Sequence, residues 1–402
     1  MIITIDGGIT APAGFRAAGV HCGIKARAGA LDLALIVSDR PATAAAVFTT
    51  NLAVAPPIVV SREHLAASAG QARAVVVNSG CANACTGDAG RQVAYLMAAE
   101  TARAVDCDLE DVLVMSTGVI GVQLDARTVT QGIIAAAEAL AVEGHADAAR
   151  AIMTTDPFPK ARAVEVSTSR GSFRIGGICK GSGMIEPRMA TMLGVLTCDA
   201  AVSATLLQRV LRDVTEHTFN AITVDGECST NDCVALLANG ASGMALTEAD
   251  LPLLSDALFE VCRYLATEIV RGGEGATKLV TVQVTGARTY DDARQAARAI
   301  ANSLLVKTAI HGGDPNWGRL VAVAGRAGVA FVLEHAAVRI GDVVLFDQGR
   351  PYDERAPQAA DYLAGKDISV TVDLGAGGGE EATMWTCDLS EEYVQINAEY
   401  RT

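Results

Sequence analysis

Short apolar runs that stop at small polar triplets recur along this 402-residue chain, and Ala-rich stretches of helical period lie between them. Arg73-Ala-Val-Val-Val-Asn78 leads into Ser-Gly, and Val112–Met115 leads into Ser116-Thr117-Gly118. Apolar runs of this length closed by turn residues read as buried strands. Leu31–Val37 reads the same way. Gly87–Val105, Arg127–Val142, Ala204–His217 and Asp291–Leu304 read as helices. Thr247–Val270 is the clearest amphipathic helix, with Thr247 as its N-cap and Gly272-Gly273 as its stop. Arg162–Ser167 and Ser172–Cys179 form a hairpin around Ser169-Arg170-Gly171. Phe219–Val224 and Lys278–Val284 read as strands, and beyond Val338 strands surround one helix near Arg355–Leu363. Such a mixture belongs to the α/β class. No fixed repeat and no low-complexity linker interrupts it, and a domain boundary is expected near Val280–Gln283.

Composition narrows the function. Apolar residues make up 50% and charged residues 19%, which excludes disorder for the bulk of the chain. Aromatics are only 4%, so the cores must be built from Ala, Val, Leu and Ile. A net charge of −14 argues against nucleic-acid binding and against docking on an anionic membrane. No run of about 20 residues is apolar enough to span a membrane. No basic-then-apolar leader opens the sequence, so a cytoplasmic location is expected.

The ten cysteines form no Cys-x-x-Cys pair and have no histidine partners at finger spacing, so no metal is expected. Reduced thiols are the simpler reading. Cys22, Cys107, Cys179, Cys198, Cys262 and Cys387 read as small buried hydrophobes. Of the histidines, His64 and His145 are expected on the surface, while His21 and His311 sit at Gly-bearing edges within reach of a pocket. Dinucleotide, P-loop, nucleophile-elbow and zincin signatures are missing. Gly375–Gly379 reads as a loop between two C-terminal strands. Any catalysis must therefore use a base other than a triad histidine.

One stretch stands apart, from Cys179-Lys180-Gly181-Ser182-Gly183 through Pro187-Arg188-Met189-Ala190-Thr191-Met192-Leu193 to Leu196. Threonine is common in strands, and by composition Thr191 can be a structural strand residue. It can equally be a nucleophile at the head of a strand, activated by its own α-amine if the chain is cut before it. From the residues alone both readings stand.

Lys180–Leu193 resembles the cleavage-site motif of the ornithine acetyltransferases, or glutamate N-acetyltransferases, of the cyclic arginine pathway. Further blocks match this family in order: Ala18–Lys25, Val76–Gly80 with Ala82–Gly87, and Ser116–Gly121. They continue with Thr154–Pro157, Thr223–Gly226 with Ser229–Asp232, Asp314–Arg319, and Tyr393–Thr402. The resemblance runs from about residue 10 to the end.

It implies a four-layer αββα sandwich with a smaller α/β C-terminal lobe. Residues 1–190 would form an α fragment. Residues 191–280 would complete the main domain, and 281–402 would form the lobe whose last residues reach the active site. It implies self-cleavage at Ala190–Thr191, then double displacement through an acetyl-Thr191 intermediate. Acetyl would pass from N-acetylornithine to glutamate, with the Thr191 α-amine as base and Thr117 and Gly118 as the oxyanion hole. Thr154, Lys180, Thr191, Glu274, Asn397 and Thr402 match the substrate-binding positions; Lys180 suits a carboxylate and Glu274 an ammonium.

The fragments would assemble as α2β2, without metal or organic cofactor. Arg188 stands where the family carries Asn, which bears on the cleavage rate. Cys81 stands where Asn is frequent and reads as a buried packing residue. Acetyl-coenzyme A is a possible second donor in a bifunctional form. Since no basic cluster presents itself for the coenzyme's phosphates, that reaction is expected to be absent or much slower. Two competing functions remain open. The related self-cleaving aminopeptidases use Ser instead of Thr, and a non-catalytic binding protein would stay in one piece.

Overall fold

The structure, a computed structural model, describes residues 1–186 and 192–399. Arg188, Ala190, Thr191 and Thr402 lie outside the described residues. The chain divides into two compact units. Among the described residues one comprises Met1–Asn220 and Glu227–Ile269, and the other comprises Ala221–Gly226 and 270–399.

Among the described residues the first unit holds nine strands: β1 (Ile2–Ile5), β2 (Phe15–Val20), β3 (Leu33–Phe48), β4 (Gln71–Cys81), β5 (Val112–Val119), β6 (Lys160–Thr168), β7 (Gly171–Lys180), β8 (Leu193–Cys198) and β9 (Cys233–Ala238). Its helices are α1 (Pro56–Ala67), α2 (Gly87–Val105), α3 (Ala126–Glu138), α4 (His145–Ala151), α5 (Ala204–Glu216) and α6 (Leu251–Arg271), the last running on into the second unit. The strand order is β1-β6-β7-β8-β9-β3-β4-β5, with β2 on β3. The sixteen-residue β3 belongs to both halves of this sheet. Leu33–Val37 pairs with β2 and β4, and Thr43–Phe48 pairs with β9. The register shifts between Val37 and Ala42, where Asp39, Arg40 and Pro41 are exposed. A bulge of this kind bends a strand and lets one ribbon serve two layers.

Alternation along the strands assigns the faces. Ala34, Ile36, Val75, Val77, Leu113 and Met115 form one core with Ile178, Leu193, Val195, Ala235 and Leu237. That core lies between the two sheet halves. Leu35, Val37, Val76 and Val114 face the other way, onto Met97 and Ala98 of α2 and Val129 and Ile133 of α3. On the far side a Cβ at Gly177 would lie 3.0 Å from Leu265 and 3.4 Å from Val261, so α6 rides close on β7. The Gln208 side chain of α5 bonds both the N–H and the carbonyl of Ala46 in β3. Helices outside two apposed sheet layers make the four-layer αββα sandwich.

The second unit builds a six-stranded sheet from β10 (Leu279–Ala287), β11 (Ala337–Ile340), β12 (Val343–Asp347), β13 (Arg350–Pro351), β14 (Asp367–Asp373) and β15 (Glu380–Cys387), in the order β13-β12-β11-β14-β10-β15. Its helices are α7 (Tyr290–Ala301), α8 (Leu304–His311), α9 (Trp317–Gly325), α10 (Ala356–Leu363) and α11 (Glu391–Glu399). Its core is one cluster built on Val280, Val282, Ile300 and Val370.

Several expectations need correction. The division falls at Ile269–Val270, not near Val280. β10 is already paired on both sides, with β14 and β15, so a boundary there would cut through a sheet. Phe219–Val224 is no strand: Phe219–Ala221 is a 3-10 turn, and Ile222 makes a single bridge to Trp385. Thr247 caps a 3-10 turn, Glu248–Asp250, through a capping box with Asp250, and α6 begins only at Leu251. His64 is only 4% exposed, with Nδ1 2.8 Å from the Val112 carbonyl. His311 pairs with Asp388 at 2.7 Å, and His21 Nδ1 lies 2.7 Å from the Ala30 carbonyl. Cys22 and Cys107 are half-buried, while Cys179, Cys198, Cys262 and Cys387 are buried as expected.

Candidate active site at the strand ends of the first unit

β4 and β5 are parallel and in register, with Asn78 opposite Ser116, Ser79 opposite Thr117 and Gly80 opposite Gly118. At this end the two backbones close on each other. A Cβ at Gly118 would sit 2.4 Å from the Gly80 carbonyl carbon, and its φ is +126°. Only glycine meets both conditions. The Ser-Thr-Gly triplet is therefore a backbone requirement before it is anything else.

Polar side chains lock this end in place. Ser116 Oγ donates to Asn78 Oδ1 at 2.6 Å, and Asn78 Nδ2 donates to the Cys81 carbonyl at 2.8 Å. Asn231 Nδ2 reaches across from the loop before β9 to the carbonyls of Ala82, at 2.6 Å, and Ser116, at 3.0 Å. Each bond satisfies a buried polar group at the point where the ladder ends. Cys81, 4% exposed, is a packing residue whose thiol burial pushes up.

Lys180 ends β7 and is 9% exposed. Its Nζ lies 3.4 Å from Thr117 Oγ1 as a donor. A lysine ammonium only donates, so the Thr117 hydroxyl proton is left free to point at another acceptor. Beneath Lys180 lies Asp156. Its carboxylate accepts from Lys160 Nζ at 2.8 Å, from the Gly181 N–H at 2.7 Å and from the Thr154 N–H at 2.9 Å. One buried anion thus ties the turn after Lys180 to the segment carrying Thr154. Burial pushes the Asp156 carboxyl up. The Lys160 and Lys180 charges and the bonds from Lys160 and Gly181 outweigh it, bringing the pKa to about 2.

A second buried carboxylate, Asp32, accepts the successive N–H groups of Cys22, Gly23, Ile24 and Lys25 at 2.7–3.1 Å. Burial opposes its ionisation, but these bonds hold its pKa below the usual value. The loop so fixed lies against the strand ends: a Cβ at Gly80 would fall 3.0 Å from Lys25 Cγ.

Of the residues picked out from sequence, Thr117, Gly118, Thr154 and Lys180 belong to this first unit, and the contacts above link Lys180 to Thr117 directly and to Thr154 through Asp156. Glu274 and Asn397 belong to the second, where Glu274 is 8% exposed and accepts from Asn397 Nδ2 at 2.8 Å. Gly275 makes this possible: a Cβ there would lie 2.4 Å from the Tyr393 nitrogen, at the helix that carries Asn397. Sequence reasoning assigned no role to Asp32, Asn78, Asp156, Lys160 or Asn231. For Asp32 and Asn78 the signal was a polar residue inside or just beyond an apolar run, whereas Asp156, Lys160 and Asn231 sit in mixed sequence without it. Among the described residues no group of His, Cys, Asp and Glu could hold a metal ion. No described helix is long and apolar enough to cross a membrane.

The first unit thus carries a glycine-pinched parallel strand end with a buried lysine beside it. Comparison with known proteins is more specific. The family model described as "ArgJ family" matches residues 16–402. The arginine biosynthesis bifunctional protein ArgJ of Chlorobaculum tepidum is 48% identical over 392 residues, covering 97% of this chain and 96% of that protein. The protein of the same name from Symbiobacterium thermophilum is 50% identical over 404 residues, covering 99% of both. A crystal structure of ornithine acetyltransferase complexed with ornithine, from Mycobacterium tuberculosis, is 40% identical, covers 47% of this chain and 100% of that one, and superposes with a TM-score of 0.43. The chain belongs to the ArgJ family.

The Asp156–Lys160 pair has no exposed side-chain surface. Asp156→Asn leaves the lysine charge buried without a counterion, and we expect a loss of about 3–5 kcal/mol at pH 7. The folded pKa of Asp156 is depressed, so its stabilisation is complete above about pH 4 and disappears as pH falls towards about 2. Urea unfolding of wild type and variant across this range should show the gap closing on the acid side. A gap independent of pH would contradict the assignment.

Proposed function

We propose that this chain is an acetyltransferase of arginine biosynthesis that cuts itself between Ala190 and Thr191, then carries acetyl from N-acetylornithine to glutamate on the Thr191 hydroxyl. The observation that carries the reading is membership of the ArgJ family across residues 16–402, with relatives near 50% identity named for arginine biosynthesis. The convergence of Thr117, Gly118 and Lys180 at one strand end supports it.

The chemistry is self-consistent. Once released, the Thr191 α-amine has an ordinary pKa of about 7.7–8.0, so a useful neutral fraction accepts the hydroxyl proton near pH 7 without a histidine. Thr191 Oγ attacks the acetyl carbonyl, and ornithine leaves. The developing oxyanion takes hydrogen bonds from the Thr117 hydroxyl and the Gly118 N–H, where oriented donors are most effective. Lys180 holds the substrate carboxylate, Glu274 its ammonium, and Thr154, Asn397 and Thr402 complete the binding set. Glutamate then takes the acetyl group. No metal or organic cofactor is invoked. The two fragments, 1–190 and 191–402, remain one folded unit and pair as α2β2 in the cytoplasm.

A second reading adds acetyl-coenzyme A as donor, forming N-acetylglutamate through the same acetyl-Thr191. The word "bifunctional" in the relatives' names favours it. The aminopeptidase reading loses ground because Thr, not Ser, stands at the junction. A silent binding protein would remain a single chain.

Wild-type protein is expected to run as two fragments of about 20 and 22 kDa, in proportion to their share of 41.5 kDa, the heavier beginning Thr-Met-Leu-Gly. Thr191→Ala should abolish both cutting and transfer, as read by intact mass and ornithine release. Near-normal transfer by Thr191→Ala would make Thr191 a strand residue and nothing more.

Glu274→Ala removes a charged hydrogen-bond acceptor worth on the order of 1.5–3 kcal/mol. A loss of about tenfold or more in kcat/KM for N-acetylornithine should follow, carried mainly by KM. Unchanged kinetics would take Glu274 out of the binding set.

The donor question is answered by assaying one preparation twice with glutamate, for ornithine release from N-acetylornithine and for free thiol from acetyl-coenzyme A. Ornithine release is expected to be the faster. Comparable rates would establish the second activity and leave the first intact.

A further inference from the structure

The donor and the acceptor of the proposed transfer differ in charge. N-acetylornithine carries one carboxylate and a side-chain ammonium, whereas glutamate carries two carboxylates. In the reading above Lys180 answers a carboxylate that both molecules have. The second carboxylate of the acceptor has no cation assigned to it.

Lys25 is held at the same strand end as Lys180. Its backbone N–H donates to Asp32 Oδ2 at 3.1 Å. A Cβ at Gly80 would fall 3.0 Å from Lys25 Cγ and 3.3 Å from its backbone nitrogen, so the residue lies on the glycine pinch itself. Lys25 Nζ donates to the Leu31 carbonyl at 2.7 Å. The next carbonyl, that of Asp32, accepts from the Ser79 N–H at 2.9 Å. Ser79 stands opposite Thr117, whose hydroxyl accepts from Lys180. Lys25 and Lys180 thus reach one end of the β4–β5 pair. Burial lowers the Lys25 pKa, the Asp32 and Asp156 charges oppose that, and the Lys180 charge adds to it.

The protein does not neutralise either lysine. Among the described residues Lys25 and Lys180 make no ion pair: one ammonium bonds a carbonyl and the other a hydroxyl. The nearby carboxylates are engaged elsewhere. Asp156 pairs with Lys160, and Asp32 accepts four backbone N–H groups. A desolvated ammonium without a counterion costs free energy. Two of them at one strand end, in a chain of net charge −14, mark a place for an arriving anion.

We propose that Lys25 holds the side-chain carboxylate of the acetyl acceptor and so selects glutamate, an inference that rests on the transfer reaction proposed above. Lys180 and Lys25 then take the two carboxylates of one molecule, while the donor, with a single carboxylate, uses Lys180 alone. An ammonium has three N–H donors, and the Leu31 carbonyl occupies one, so the others remain for the substrate.

The test varies the acceptor and the lysine, with N-acetylornithine as donor and transfer followed by product formation. Glutamine ends in an uncharged amide, so wild type should use glutamate about tenfold or more better than glutamine in kcat/KM, the worth of a charged hydrogen bond. In Lys25→Gln the KM for glutamate should rise about tenfold or more while that for N-acetylornithine stays within about threefold. The preference for glutamate over glutamine should collapse with it. Lys25→Arg keeps the charge and should keep most of the preference. A lysine that only packs on Gly80 would disturb donor and acceptor alike. Equal use of glutamate and glutamine by wild type would overturn the proposal, even if Lys25→Gln failed to fold. A parallel rise of both KM values in Lys25→Gln, or an unchanged preference for glutamate, would overturn it too. The underlying reading fails differently: wild type would release no ornithine from N-acetylornithine with either acceptor, and the role of Lys25 would fall with it.

Discussion

The first unit depends on one bent strand. β3 runs through sixteen residues because it is shared: its first third pairs with β2 and β4, its last third with β9. The exposed Asp39-Arg40-Pro41 bulge interrupts pairing between these parts. Without the bend the apolar face of β4 and β5 would have no second layer to cover it. With it, Val75 and Leu113 meet Val195 and Leu237 across a core that contains almost no aromatics. Small side chains suit such a sandwich, because they let sheets and helices approach closely. Gly177 beneath α6 and Gly118 against Gly80 are two such close approaches.

At the strand ends buried polar groups are satisfied by protein. Asp32 gathers four backbone N–H groups, Asp156 gathers two and an ammonium, and Asn231 reaches two carbonyls. A buried ion pair such as Asp156–Lys160 is poor evidence for added stability, since desolvation offsets much of the attraction. Its effect is positional. It fixes the turn after Lys180, and Lys180 in turn bonds Thr117. Asp232 Oδ2, by contrast, is buried with no hydrogen-bond partner among the described residues.

Much of this was legible in the amino-acid order, and the reasons are local. α2 begins and ends where its Ala-rich period predicts, at Gly87 and Val105, and the β6–β7 hairpin closes at its Ser-Arg-Gly turn. Each depends on neighbours a few residues away. Thr117, Gly118, Thr154, Lys180, Glu274 and Asn397 were singled out as candidates because their motifs are contiguous and ordered, not because any single residue was distinctive. What stayed hidden depends on distant partners. Phe219–Val224 has the composition of a strand, but only Ile222 finds a bridge, to Trp385. His64 looks like a surface residue in a polar stretch until β5 supplies the Val112 carbonyl. The domain boundary could not be placed near 280 by pattern, because only the pairing of β10 with β14 and β15 shows that strand to be interior. Asp156, Asp32 and Asp232 are three similar carboxylates in sequence. Donors brought by the fold hold the Asp156 and Asp32 carboxyls below their ordinary range, while burial pushes that of Asp232 up. Sequence alone carried the local periods, the turns and the ordered Lys180–Leu193 motif. Charge state and partnership were decided by the tertiary structure, because desolvation and long-range hydrogen bonds exist only once the chain has folded.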